Sequence, residues 1–267
     1  ADVGFRGRWA TNAGVLRHDS ALQRQRYAFS KWRVVDDERV PKHETIDWTT
    51  RHAGWFTRTT GDHRWGPEAT AKVTAVQRTA SDDDGASFAD TSGAVGLGFS
   101  EAWTPDNWSI DARALGELHT TYGFGGVLGG GVAWKPMDWL QLRSSTSRTR
   151  RVPSSEELFF AFDHSEVGYI LEGNRALRPE SLWGLRAGAA VSNDRAGVEA
   201  EGYYNHLTDG IVASLDRTDG ATGVYVYENA GRVLAAGVRS SAWVARLPGN
   251  LDARVRYAWL PVSVVRP

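Results

Sequence analysis

Three stretches of this chain hold residue types that do chemistry elsewhere, and none has the setting that chemistry needs. Asp163-His164-Ser165 puts the members of a hydrolytic triad side by side. A triad is assembled in space from separate elements, so adjacency in sequence carries no catalytic meaning. Asp82-Asp83-Asp84-Gly85 offers carboxylates for a loose Ca²⁺ site but reads more simply as a solvated loop tip. The run from Gly123 to Gly131 lacks the strand, loop and helix that make a glycine-rich turn a phosphate cradle, and glycine also serves where barrel strands bend or pack closely. H-E-x-x-H, Walker and G-x-S-x-G motifs are absent. With no cysteine, neither disulfides nor thiolate metal sites are available. The reading is therefore a protein that is not an enzyme, with no catalytic residue, no metal site and no cofactor. More informative is the long polar connection from Arg151 to Glu180, which carries Phe159, Phe160, Phe162, His164 and Tyr169. Aromatic groups on such a loop must pack within it or meet a ligand. These five are the candidate ligand-binding residues, and packing of the loop against its neighbours is the competing reading for each.

The elements that must position this loop are strands. Period-two alternation recurs along the chain, whereas helical periodicity is hard to find. Val3, Phe5 and Trp9 oppose Asp2, Arg6 and Arg8; Trp108, Ile110, Ala112, Ala114 and Leu118 oppose Asp111, Arg113, Glu117 and His119. Val95, Leu97, Phe99 and Trp103 alternate with small residues, and Leu251, Ala253, Val255, Tyr257 and Trp259 oppose Asp252, Arg254 and Arg256. The facing of Gly123 to Gly131, and of the segment after Trp139, stays open. Tight turns join many of these segments. Trp103-Thr104-Pro105-Asp106-Asn107-Trp108 and Trp134-Lys135-Pro136-Met137-Asp138-Trp139 share the spacing Trp-x-Pro-x-x-Trp, with Pro placed for a β-turn. Longer connections are expected at Val35 to Lys42, Ser81 to Asp90, Thr149 to Glu180 and Leu215 to Thr222. The turn near Thr11 to Ala21 reads as longer than its side requires. The count from Asp2 to Leu260 is about twelve strands.

No apolar run approaches the ~20 residues a membrane helix needs, but barrel strands span with about 9–11 alternating residues. A soluble sandwich alternates too. Paired Trp flanking successive short turns, opposite a rim of longer connections, favours a membrane barrel, because amphipathic rings settle at the headgroup level. A net charge of −1 gives no argument for a nucleic-acid partner. The start at Ala1 has neither initiator Met nor signal segment, which is expected of a mature or excised piece.

The stretch Arg151-Val152-Pro153-Ser154-Ser155-Glu156-Glu157-Leu158-Phe159, followed by Gly173-Asn174-Arg175-Ala176-Leu177-Arg178-Pro179-Glu180, resembles the "R-x-P-S-x-x-E-L-F … G-N-x-x-L-x-P-E" signature of TonB-dependent outer-membrane receptors. Ala200 to Ile211 is similar to that family's "A-x-Y-Y-N-x-x-x-D-x-I" strand, and Tyr227 to Arg239 to its "Y-x-N-x-G … G-V-E" strand, with Arg239 replacing the usual Glu. The resemblance covers Trp139 to the end best. It implies an all-β, antiparallel transmembrane β-barrel in the cell outer membrane, with these strands as part of a 22-stranded receptor barrel. It also implies energy-coupled uptake of a bulky, scarce ligand such as a ferric siderophore. The expected partners are membrane lipid, a siderophore-like small molecule, and a TonB-type energy-coupling protein that engages a plug domain. Residues 1–267 read as one barrel domain or barrel fragment, with no plug segment among them. Pro153, Ser154, Glu157, Gly173, Asn174, Pro179 and Glu180 match signature positions, and the expectation is that they fix the ends of the loop rather than touch cargo. The alternatives are a passive porin-like or adhesive barrel of about twelve strands, and an outer-membrane barrel hydrolase.

Overall fold

The computed structural model describes residues 2–33, 38–80, 87–159, 161–247 and 251–265. Asp82 to Gly85 and Phe160 lie outside them. The chain forms one meander: β1 (Asp2–Thr11), β2 (Gly14–Arg33), β3 (Glu38–Thr60), β4 (His63–Ala80), β5 (Phe88–Trp103), β6 (Trp108–His119), β7 (Gly123–Met137) and β8 (Leu140–Arg151). After a loop that holds α1 (Ser155–Phe159), β9 (Ala161–His164) and β10 (Tyr169–Glu172), it resumes with β11 (Glu180–Ser192), β12 (Ala196–Asp219), β13 (Thr222–Leu247), β14 (Leu251–Trp259) and β15 (Val262–Val265). Each wall strand pairs antiparallel with the next, β8 joining β11 across the loop. β14 and β15 share the same edge of β13 and act as one strand broken at Pro261, which has no N–H for the ladder. Counting that pair once, the wall has the expected dozen strands.

Cross-strand register sorts the side chains onto two faces. One row runs Pro67, Phe99, Ala114, Leu128, Arg148, Trp183 and His206. The row on the opposite face runs Arg51, Lys72, Ala94 and His119. Burial is inverted relative to a water-soluble domain. Leu97 is 76% exposed, Phe124 77% and Val255 70%, while Glu68 and Arg78 are each 4% exposed. Among the described residues, no second layer covers the apolar face. The polar face encloses instead: a recess of about 710 Å³ is lined by side chains drawn from β1 through β6, which requires the sheet to curve with its charges inward. The open facing of β7 resolves into Phe124, Leu128, Val132 and Trp134 outward, with glycine on both faces.

The two rims differ in kind. At one rim the turns are short, and aromatic rings stack between neighbouring strands beside them: Trp108 on Trp134 at 5.2 Å, His63 on Trp103 at 5.7 Å and Trp65 beside Phe99 at 6.1 Å. The turn after β1 is shorter than the sequence suggests, because the Thr11 hydroxyl accepts the Ala13 and Gly14 N–H groups and β2 begins at Gly14. At the other rim the connection expected over Leu215 to Thr222 is strand to its tip. β12 runs to Asp219 and turns through Gly220, whose φ of +59° suits the first position of a two-residue hairpin. β2 and β3 likewise reach Arg33 and Glu38, so only part of the Val35 to Lys42 connection is loop. This rim is elongated by long strands, of 24 residues in β12 and 26 in β13, more than by irregular loops.

Candidate functional site

The segment between β8 and β11 is irregular in outline and densely bonded in detail. Ser154 caps α1: its hydroxyl accepts the Glu157 N–H at 3.3 Å, and the Glu157 carboxylate accepts the Ser154 N–H at 2.7 Å. This reciprocal pair is a capping box, and it accounts for Ser and Glu at that spacing. The other face of Glu157 receives both terminal nitrogens of Arg151 at 2.8 and 2.9 Å, while Arg151 Nε donates to Glu180. Burial alone would raise the Glu157 carboxyl, but hydrogen bonds from Arg151 and Ser154 outweigh it and hold the group below the ordinary carboxylate value. Arg151 is held further toward its charged form by the same two carboxylates.

The far end of the loop is fastened to β12 and β13. Asn174 donates to the Tyr227 carbonyl at 2.9 Å and accepts the Ala176 N–H at 2.8 Å. The Arg178 backbone is gripped by Asn229, which accepts its N–H at 2.8 Å and donates to its carbonyl at 2.9 Å. Asn229 also donates to the Asp209 carbonyl at 2.7 Å, and Arg178 reaches the Asp209 carboxylate at 2.6 Å. Asp209 holds this position with φ at 54°, a left-handed backbone that Asp tolerates better than most residues. Glu180 accepts the Ile211 N–H at 3.0 Å, and Leu177 is 3% exposed beneath the knot. Pro153 is buried, and Gly173 and Pro179 are half-buried beside these anchors. Three motifs that are separate in sequence thus meet at one place. Their convergence, with Asp209 and Asn229 as its hub, is invisible in any one of them.

The loop overhangs a chamber of about 670 Å³ on the polar face. Phe159 packs against Phe88 at 4.6 Å with the rings tilted by 32°, and the Arg175 guanidinium lies over both rings at 4.9 and 5.8 Å. Below them, Arg51 and Lys72 stand directly opposite each other on β3 and β4, with His119 two strands further along the same row. Like charges so placed repel. Among the described residues, neither Arg51, Lys72 nor Arg175 has a carboxylate in an ion pair. Deeper in the wall, charges are matched: Arg113 makes a two-point contact with Glu68 at 2.7 and 2.8 Å, and Trp55 Nε1 donates to the same carboxylate at 3.2 Å.

Of the five aromatic and histidine candidates, Phe159 is the one that the described side chains bring to this chamber. Phe160 lies outside the described residues. Phe162 and His164 belong to β9, where only the backbone is described, paired with Leu171 and Tyr169. Tyr169 is exposed on β10, which runs parallel to the Gly223–Val226 stretch of β13 and covers its outer edge. The candidate set is therefore split between the chamber and a hairpin on the far side of β12. Arg51, Lys72, Phe88 and Arg175 complete the chamber. The unmatched pair of cations on neighbouring strands was legible only once their register was known.

The sequence model of the family described as "TonB dependent receptor-like, beta-barrel" matches residues 2–263. The chain belongs to that family. Solved structures of the fold include a mutant of the ferric enterobactin receptor of Pseudomonas aeruginosa (TM-score 0.77, 11% identity, 97% of this chain and 43% of that one). The copper transporter OprC superposes with a TM-score of 0.76 at 14% identity, over 97% of this chain and 46% of that one. The siderophore receptor PirA of P. aeruginosa gives 0.71 at 13% identity, over 98% and 56%. A curated relative, the hemoglobin and hemoglobin-haptoglobin-binding protein A of Haemophilus influenzae, is 32% identical over 75 residues, 28% of this chain and 6% of that protein. This chain spans about half of the solved receptors it matches. As a TonB-dependent receptor barrel it resides in the outer membrane, and its dozen strands are barrel wall.

Proposed function

We propose that this chain forms the wall and the ligand-gripping loop of a receptor for energy-coupled uptake of a bulky, anionic, ring-bearing ligand of the ferric-siderophore type. The observation that carries the reading is the chamber: Arg51 and Lys72 face each other outside any ion pair among the described residues, under a lid edge made of Phe159, Phe88 and Arg175, while Asp47, Asp90 and Glu117 stand elsewhere in the lining. An anionic chelate neutralises the first pair, and its rings stack on the second group. The siderophore receptors among its structural relatives make this ligand class the natural one. In this reading the exposed apolar face meets lipid, since trapped backbone groups are satisfied by the strand ladder and large apolar side chains need no second layer. Energy coupling runs through a TonB-type protein and a plug seated against the charged inner face. The passive-pore and hydrolase alternatives lack comparable support, because neither explains a knotted loop over a chamber that brings aromatic rings and cations together.

The test is a tryptophan-fluorescence titration of the detergent-solubilised protein with ferric enterobactin as probe. Arg51→Glu with Lys72→Glu should weaken binding at least tenfold, and Phe159→Ala several-fold, with heat-modifiable gel mobility unchanged. Equal affinity in wild type and the charge-reversed variant sinks the reading.

A further inference from the structure

The outward face holds a recess that uptake does not explain. It measures about 600 Å³ and crosses four strands, β5 to β8, with Trp183 of a fifth, β11, closing its end. Ala112, Ala114 and Gly130 form its floor, because their short side chains leave a trough in a wall otherwise studded with large groups. Phe99, Leu128 and Trp183, exposed by 45%, 58% and 44%, stand along it. Two polar side chains, one of them acidic, interrupt the lining on this face: Thr146 turns its hydroxyl onto the Gly184 carbonyl at 3.1 Å, and Glu101, at the short-turn end, is held by His63 at 2.9 Å, which leaves the stretch from Ala114 to Leu128 apolar.

The direction of the trough matters. Phe99, Ala114, Leu128 and Arg148 are successive cross-strand partners, so it follows the hydrogen-bonding direction rather than the strands. Three steps at about 4.8 Å make it roughly 14 Å long, close to half of a ~30 Å hydrocarbon core. Phe99 lies four residues from the short-turn end of β5, and Arg148 three residues from the elongated-rim end of β8. The trough therefore climbs the wall and ends at Arg148. That arginine is exposed, its cross-strand neighbours are Leu128 and Trp183, and no carboxylate pairs with it among the described residues. It differs in this from Arg26, which pairs with Glu44, and from Arg150, which donates to the carbonyls of Tyr122 and Phe124. Short turns mark the periplasmic rim of outer-membrane barrels, so the elongated rim and Arg148 lie at the outer leaflet.

We infer that this trough is a specific lipid site: one acyl chain of an outer-leaflet phosphorylated glycolipid, of the lipid A type, lies along Ala114 and Gly130 with its phosphate on Arg148. The fit is of three properties at once. Length matches one leaflet, the floor is apolar, and the unmatched cation stands at the level where the headgroup phosphate lies. The guanidinium fork suits a phosphate oxygen pair, whereas a zwitterionic headgroup brings its own cation to the same place. This inference rests on the outer-membrane setting and not on the identity of the transported ligand.

Native mass spectrometry of the detergent-purified protein, offered lipid A and phosphatidylglycerol in competition, tests it. The expected spectrum has one retained lipid A. Arg148→Gln should reduce that adduct at least tenfold, and Ala114→Phe, which fills the trough without touching the charge, should do the same. Both variants should keep heat-modifiable mobility and the wild-type titration with ferric enterobactin, so loss of the lipid site is separable from loss of uptake function. Equal lipid A retention in wild type and Arg148→Gln overturns the proposal, as does a preference for phosphatidylglycerol.

Discussion

At the level of single residues, the loop over the chamber is held by two devices of unequal strength. The capping box on Ser154 closes a helix of one turn, and removing such a cap costs about 1 kcal/mol. Asn229, half-buried in the knot, makes three hydrogen bonds with two backbone segments, so its loss removes several ties at once. Hydrogen exchange over residues 152–179 should therefore respond modestly to Ser154→Ala, about fivefold, and by well over tenfold to Asn229→Ala. Equal responses would mean that the loop is held mainly at its β8 end. Glu157 adds a pH dependence. Its carboxyl is depressed in the folded loop, so the anchoring it supplies is complete above its ordinary value of 4.5 and is lost as pH falls through the lower folded value. Exchange of the α1 segment should accelerate below that point in the wild type and be pH-insensitive there in Glu157→Gln. Acceleration near neutral pH would contradict the sign.

At the level of elements, what the sequence disclosed and what it hid follow from the range of the forces involved. Alternation and Pro-containing turns are local, and they located the dozen wall strands and the short-turn rim. Register is not local. Nothing in the composition of β3 and β4 says that Arg51 stands opposite Lys72, or that Asp209 and Asn229 meet Arg178. The hairpin tips were misread for a related reason: the polar run from Leu215 to Thr222 looks like loop, but a polar hairpin beyond the membrane is still a ladder with water on both sides. Glycine illustrates the same point. At Gly66 a Cβ would lie 1.7 Å from the Phe56 carbonyl oxygen, where β3 and β4 crowd beside Pro67 and their ladder skips from Trp55–Glu68 to Arg58–Trp65. Gly66→Ala must push the two backbones apart, and it should lower the unfolding temperature read from heat-modifiable mobility by several degrees. Gly54→Ala on the neighbouring strand, where the nearest atom is 3.8 Å away, should leave it unchanged.

At the level of the whole molecule, the argument turns on which solvent bathes the outward face. The side chains that are most exposed are among the largest and most apolar, and the carboxylate of Glu68 is among the least exposed groups. In water such an arrangement forfeits the burial of tens of apolar side chains at about 25 cal/mol per Å², and no ordinary polar network compensates that loss. In hydrocarbon it costs nothing, since lipid tails are as apolar as Leu. Leu97 discriminates between the two, being 76% exposed on β5 two residues from the trough wall at Phe99. An exposed Leu→Arg change on a water-facing surface alters stability by at most about 0.5 kcal/mol. The same change on a lipid-facing strand near the bilayer middle costs about 2–4 kcal/mol. Leu97→Arg should therefore shift the urea midpoint of folding into lipid vesicles by an amount equivalent to that larger penalty. Glu117→Arg, on the inward face of the neighbouring strand, should shift it far less. If both variants fold as well as the wild type in vesicles, the apolar face is not where the membrane lies, and both the uptake reading and the lipid trough lose their foundation.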